Sequence, residues 1–212
     1  EKTLGKEHPD YALSLGLQSK IYNGLGQVEK AITVLKEAME FNGITLGKEH
    51  PSYVSMQINL ASLYLGLNQY KQAEPLLLSA KAIFESGTVY RDQFNYLNCL
   101  ILLAKLYFNQ GQFKQAESLI VEQVALNRLL LNKSLNHLSE QELNEYMKIF
   151  SRQQEQILTY RQNYQSGVLS GIIYDDCLFH KGFLMKAVNH LRQLASQDSI
   201  ASEKFSLMRA YR

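Results

Sequence analysis

The chain is 212 residues long, enough for one or two ordinary domains with a sizeable core. Its composition, 46% hydrophobic and 20% charged with a net charge of +2, fits a globular chain. It gives no general push toward nucleic acid or an anionic membrane, since both need clustered positive charge. Two cysteines make no disulfide framework and favour a reducing, cytoplasmic setting. No apolar run is long enough to cross a bilayer. The opening EKTLGKEHP has no signal-peptide pattern and reads as the interior of a longer protein.

In chain order, the first feature is LGKEHP at Leu4 to Pro9, which returns at Leu46 to Pro51. A shift of 42 residues realigns much more. Tyr22 falls on Tyr64, Gly24 on Gly66, Gln27 on Gln69, Ala31 on Ala73, Leu35 on Leu77 and Ala38 on Ala80. A third copy follows with one residue inserted: Ala61-Ser-Leu-Tyr64 matches Ala104-Lys-Leu-Tyr107, and Gln72 to Glu74 matches Gln115 to Glu117. Apolar residues recur at spacings of three and four, so each unit is predicted to be two helices. The first helices run from about Tyr11, Tyr53 and Gln93 to turns at Gly24–Gly26, Gly66–Asn68 and Asn109–Gly111. The second helices start near Val28, Tyr70 and Phe113. Small residues (Ser19, Ala61 and Ala104 on the first helices; Ala31, Ala73 and Ala116 on the second) mark where each hairpin must close tightly.

LGKEHP is then punctuation between repeats. The glycine stands just past a helix, where a left-handed backbone costs it little. The proline stands in the first turn of the next, where its missing N–H is harmless. Lys and Glu are expected in solvent. His8 and His50 lie one repeat apart, too far to share a metal, and their replacement by alanine is expected to cost little stability.

These residues carry a resemblance. The pattern LGKEHPxY…LASLY…G.NQYKQAEPLLLSA is similar to the tetratricopeptide repeat of the kinesin-light-chain type, over about Leu4 to Leu126. It implies an all-α fold, a TPR-like α-solenoid in which helix hairpins wind into a right-handed superhelix with the first helices on the concave side. Pro75, inside a second helix, fits that pattern.

After Leu126 the period fails. Ser139 with Glu142 forms a capping-box pattern ahead of a long helix from about Glu140 to Asn163. Gly167 separates it from a second long helix, Val168 to about Ala195, and a last helix starts near Ser199. The domain reading is an array over residues 1–126, three repeats, and a helical extension or cap over 127–212 made of three C-terminal helices. LSEQE and CLFHKGFLMKAVNHLRQL resemble the segment between tetratricopeptide repeats and a CHAT domain, the caspase-like cysteine peptidase module of bacterial multidomain proteins. That resemblance implies a regulatory arm leading toward a peptidase domain that this chain does not contain, with that domain as a partner in cis.

No catalytic, metal or cofactor site is expected. Cys177 and His180 are three apart on a helix and so are expected to share a face, as a packed cysteine beside a partly exposed histidine. A nucleophile pair would need an orienting group and an oxyanion hole, and a zinc site with His190 would need a fourth ligand. Asp175 and Asp176 are expected to face solvent. If the repeats stack as in the resembled family, Lys20, Asn23, Asn59, Ser62, Asn98, Lys105 and Asn109 face inward. Asn can clamp a peptide backbone and Lys can meet a carboxylate; the alternative for each is an ordinary solvated helix face. Leu13, Leu17, Leu65, Ile101, Leu102 and Phe108 read either as apolar subsites or as core. The expected function is binding of a protein or peptide ligand on the concave face, with no nucleic-acid or membrane partner. The alternative is a stand-alone adaptor that binds an extended segment of a separate partner, with no linked peptidase.

Overall fold

Helices account for nearly all of the described chain, and no strand occurs among the described residues. The structure is a computed structural model that describes residues 10–87, 93–134 and 153–197. The helices are α1 (Asp10–Gly24), α2 (Val28–Thr45), α3 (Pro51–Gly66), α4 (Tyr70–Glu85), α5 (Gln93–Asn109), α6 (Phe113–Ser134), α7 (residues 153–163) and α8 (Gly167–Gln197). The capping box at Ser139, the start of the predicted third-last helix and the predicted last helix lie outside the described residues. Backbone contacts divide the chain into two units, Glu1–Gln123 and Val124–Arg212.

In the first unit α1 to α5 each pack on the next, and α3 also packs on α5. The turns inside the hairpins share one construction. The Gln27, Gln69 and Gln112 amides donate to the carbonyls of the repeated tyrosines Tyr22, Tyr64 and Tyr107, each at 2.8 Å. Gly26, Asn68 and Gly111 donate to the carbonyls three residues back and have φ of 73°, 56° and 75°. This is the Schellman ending, which needs one left-handed residue and so selects Gly or Asn. The left-handed site is the last residue of each sequence-predicted turn.

Close packing follows from the small residues. Ala31, Ala61, Ala73 and Ala104 are buried, and Ser19 donates its hydroxyl to the Ala31 carbonyl at 3.0 Å inside the α1–α2 contact. A second device ties the hairpins from the side. Tyr11 donates to Glu37 at 2.5 Å across α1 and α2, and Tyr96, at the same register in repeat three, donates to Glu122 across α5 and α6. Repeat two has Ser79 where the glutamates stand. Its Tyr53 instead lies over Gly43, where an added Cβ would meet the ring at 3.1 Å.

The link between repeats one and two corrects one expectation. Gly47 has φ +88°, as a left-handed cap requires, and Pro51 opens α3. His50, however, is the N-cap of α3: its Nδ1 accepts the Ser52 amide at 3.2 Å. The ring therefore satisfies one of the helix's orphan donors. His50→Ala is expected to lower stability by about 1 kcal/mol, as lost caps do. Gly47→Val is expected to cost about 1 kcal/mol or more, because a β-branched residue resists that backbone. Urea midpoints of the two variants check both values, and an unchanged midpoint for either removes that residue from the account.

In the second unit the end of α6 is followed by α7 and α8. Gly167 does not stand between helices, as its sequence position suggests, but is the first residue of α8. Ser166 caps that helix, its hydroxyl accepting the Val168 and Leu169 amides at 3.1 and 3.3 Å.

Candidate functional site

Helix geometry puts every third or fourth residue on one face, so equivalent positions of α1, α3 and α5 form rows across the hairpins. Three rows share the exposed face of these helices. One is Lys20, Ser62 and Lys105, all exposed. The next is Leu17, Asn59 and Leu102, of which Asn59 and Leu102 are half-buried. The third is Leu13, Ser55 and Asn98. Asn109 is exposed at the end of the same face of α5. Asn23 is exposed too but stands off the rows, on the flank that holds Leu65 in α3. Leu65 is buried and belongs to the core, not to a subsite. Ile101 and Phe108 are half-buried, Phe108 packing edge-on against Phe113 at 5.2 Å. Lys20 and Lys105 have no ion-pair partner among the described residues.

The arrangement can accept hydrogen bonds and negative charge along a line, with apolar contact at Leu17 and Leu102 on either side of an amide. It holds no nucleophile, base or oxyanion donor set. The first unit's one buried thiol, Cys99, donates to the Leu77 carbonyl at 3.3 Å, and burial pushes it up to about 12. A polar cluster also lies in the first unit, where Lys81 meets Glu85 at 2.5 Å and Glu122 at 3.2 Å, with Tyr96 beside them. Burial and the Glu122 hydrogen bond raise Tyr96 to about 12. These groups join α4 to α5 and α6, while the Glu85 and Glu122 side chains stay partly open to solvent.

The second unit contains what sequence reasoning missed. Asp176 is buried, with Arg128 Nε at 3.1 Å and Gln154 Nε2 at 2.6 Å on its two carboxylate oxygens. Arg128 also lies over the Phe179 ring at 5.3 Å, and Asn127 donates to Gln153 at 3.0 Å. His180 is buried and its Nδ1 lies 2.6 Å from the Asp176 carbonyl, so Nδ1 carries the proton. Burial holds the imidazole below its usual pKa and wins over the nearby carboxylate. Two expectations are thereby corrected. Only Asp175 of the aspartate pair faces solvent. Cys177 is exposed and His180 buried, the reverse of the predicted exposure, although three-residue spacing keeps them neighbours on the helix surface. Among the described residues no group of three or more His, Cys, Asp or Glu is placed to hold a metal ion, and no helix is long and apolar enough to cross a membrane.

A family model for the tetratricopeptide repeat matches residues 22–86. No curated protein matches the sequence. Solved structures do. A putative kinesin light chain of Podosopora anserina with nearly identical TPR-like repeats matches at TM-score 0.53 and 23% identity, over 91% of this chain and 81% of that one. A single-substitution form of the same protein matches at 0.56 and 25%, over 90% and 81%. BtubC (BKLC) from P. vanneervenii matches at 0.58 and 17%, over 100% of this chain and 70% of that one. The chain carries tetratricopeptide repeats, and its fold is similar to that of the kinesin-light-chain arrays.

Proposed function

We propose that the first unit is a scaffold that binds an extended acidic or polar protein segment across the shared face of α1, α3 and α5. The observation that carries this reading is the row Lys20–Ser62–Lys105, exposed at one register in three successive first helices. A repeat array offers such a face as one continuous surface. Asn59 and Asn98 add amide groups that can pair with an extended backbone, and Leu17 and Leu102 add apolar contact. Both lysines are exposed, so each contact is of the weak, screened kind.

We further read the chain as the recognition arm of a caspase-like CHAT peptidase on the same parent chain. The support is the sequence CLFHKGFLMKAVNHL, which α8 carries. The coding sequence after Arg212 decides this part: strands bearing a His–Gly and a later Cys support it, and their absence leaves the adaptor reading.

The binding reading has its own test. Lys20→Glu with Lys105→Glu is expected to weaken calorimetric binding of an acidic peptide isolated with the chain by roughly tenfold or more, since two weak attractions become repulsions. Added salt is expected to weaken wild-type binding as well. Equal affinity of wild type and the double variant moves the site off this face.

A further inference from the structure

α8 has two faces of different character. Leu169, Asp176, His180, Phe183 and Ala187 follow one line and are buried. The opposite line carries Tyr174, Leu178, Met185 and Val188, exposed by 66%, 52%, 61% and 38%. Four large apolar side chains thus stand on one outward stripe about three to four turns long, interrupted by the exposed Lys181. Gly171 and Gly182 border the stripe, and a Cβ at either would meet open space. A second backbone can therefore come close there.

We propose that this stripe is a self-association surface, on which α8 of one copy of the chain packs antiparallel against α8 of a second. The charges beside the stripe select that partner and that direction. Asp175 and Lys186 lie on the same flank, about three turns apart, and both are exposed. Neither has an ion-pair partner among the described residues. A two-fold axis passing near Lys181 sets Asp175 of each copy against Lys186 of the other, giving two equal ion pairs. The same axis sets Tyr174 opposite Val188 and Leu178 opposite Met185 to within about one or two residue rises. An interface that meets itself in this way is isologous and closes at two copies. A parallel pairing would place the Asp175–Lys186 flanks of the two copies on opposite sides of the contact, where neither ion pair can form. Lys181 falls near the axis against its own copy. Its long stem can lie along the apolar stripe while the ammonium turns to water, so it limits affinity without blocking the contact.

The experiment is sedimentation of the whole chain over a dilution series. Wild type is expected to show a reversible monomer–dimer equilibrium. Met185→Glu, on an exposed side chain whose change leaves the buried line intact, is expected to abolish the dimer with unchanged far-ultraviolet dichroism. Asp175→Lys is expected to weaken dimerisation roughly tenfold, two exposed attractions becoming repulsions. Asp175→Lys combined with Lys186→Asp is expected to restore it, because the swapped charges meet again only in the antiparallel register. A monomer at every concentration overturns the proposal and leaves the stripe to another segment or another protein. A dimer insensitive to Asp175→Lys, or a double swap that fails to restore a dimer lost in the single variant, overturns it too.

Discussion

Replacing Asp176 by leucine should destabilise the second unit by about 3 kcal/mol. The carboxylate is buried and takes hydrogen bonds from Arg128 and Gln154. Its loss strands two donors and leaves a guanidinium facing an apolar group. Removing one partner of a buried ion pair costs roughly 3–5 kcal/mol. The lower end applies because the Arg128 side chain keeps 29% of its surface and can turn partly to water. Adding Arg128→Met to Asp176→Leu should recover much of the loss, since an apolar pair of similar volume often replaces a buried ion pair without penalty. Urea unfolding of the three proteins, with hydrogen exchange at the α8 amides to isolate this unit, reads the effect. A single variant as stable as wild type would show that the cluster contributes nothing net. The same cluster makes the unit acid-sensitive through His180. Its folded pKa is lowered by burial, so below about pH 6.5 the unfolded chain binds a proton that the folded chain resists. Stability is full above that pH and falls as pH drops toward the folded value. His180→Asn should flatten that slope.

Leu77→Ala should cost about 2–5 kcal/mol, the usual range for emptying a buried leucine site. Leu77 has no exposed surface, and its own carbonyl receives the Cys99 thiol. The next residue serves as the control, because Leu78 is 44% exposed. Leu78→Ala should stay within about 0.5 kcal/mol, as surface changes do. α4 packs on both α3 and α5, so a cavity there loosens two helix contacts at once. Stability in a repeat array is close to a sum of such neighbour terms. Denaturation of the two alanine variants compares them directly, and a loss at Leu77 as small as the one expected at Leu78 would overturn its place in the core.

The repeats are readable because the chain writes the hairpin three times. Each copy checks the others, so a buried alanine or a turn glycine stands out from chance. His50 departs from its expected role for a related reason. The sequence shows that it recurs, but a histidine ring as a cap acceptor leaves no mark in periodicity. The Tyr11–Glu37 and Tyr96–Glu122 ties follow the shift of the third copy and become visible when that shift is extended to Tyr96. The second unit has no repeat to compare with. There residue type alone puts Asp176 outside and leaves His180 ambiguous. Their spacing holds the better signal, because with Leu169, Phe183 and Ala187 they complete one helical stripe. A charged residue on an apolar stripe must find a partner, and that partner, Arg128, lies 48 positions away in the chain. The row of Lys20, Ser62 and Lys105 is legible as a register; what lies against it is not written in this chain.

The staggered packing of α1 to α5 has a kinetic consequence. Most of its contacts join segments that are close in the chain, and such topologies fold quickly. During synthesis α1 and α2 can close their hairpin while α3 is still unmade, with the Gly26 turn bringing them together. α3 and α4 then add to a surface that already exists, and no stretch must wait for a distant strand to be made. The growing chain exposes only one unfinished apolar flank at a time, which keeps the window for misassembly short.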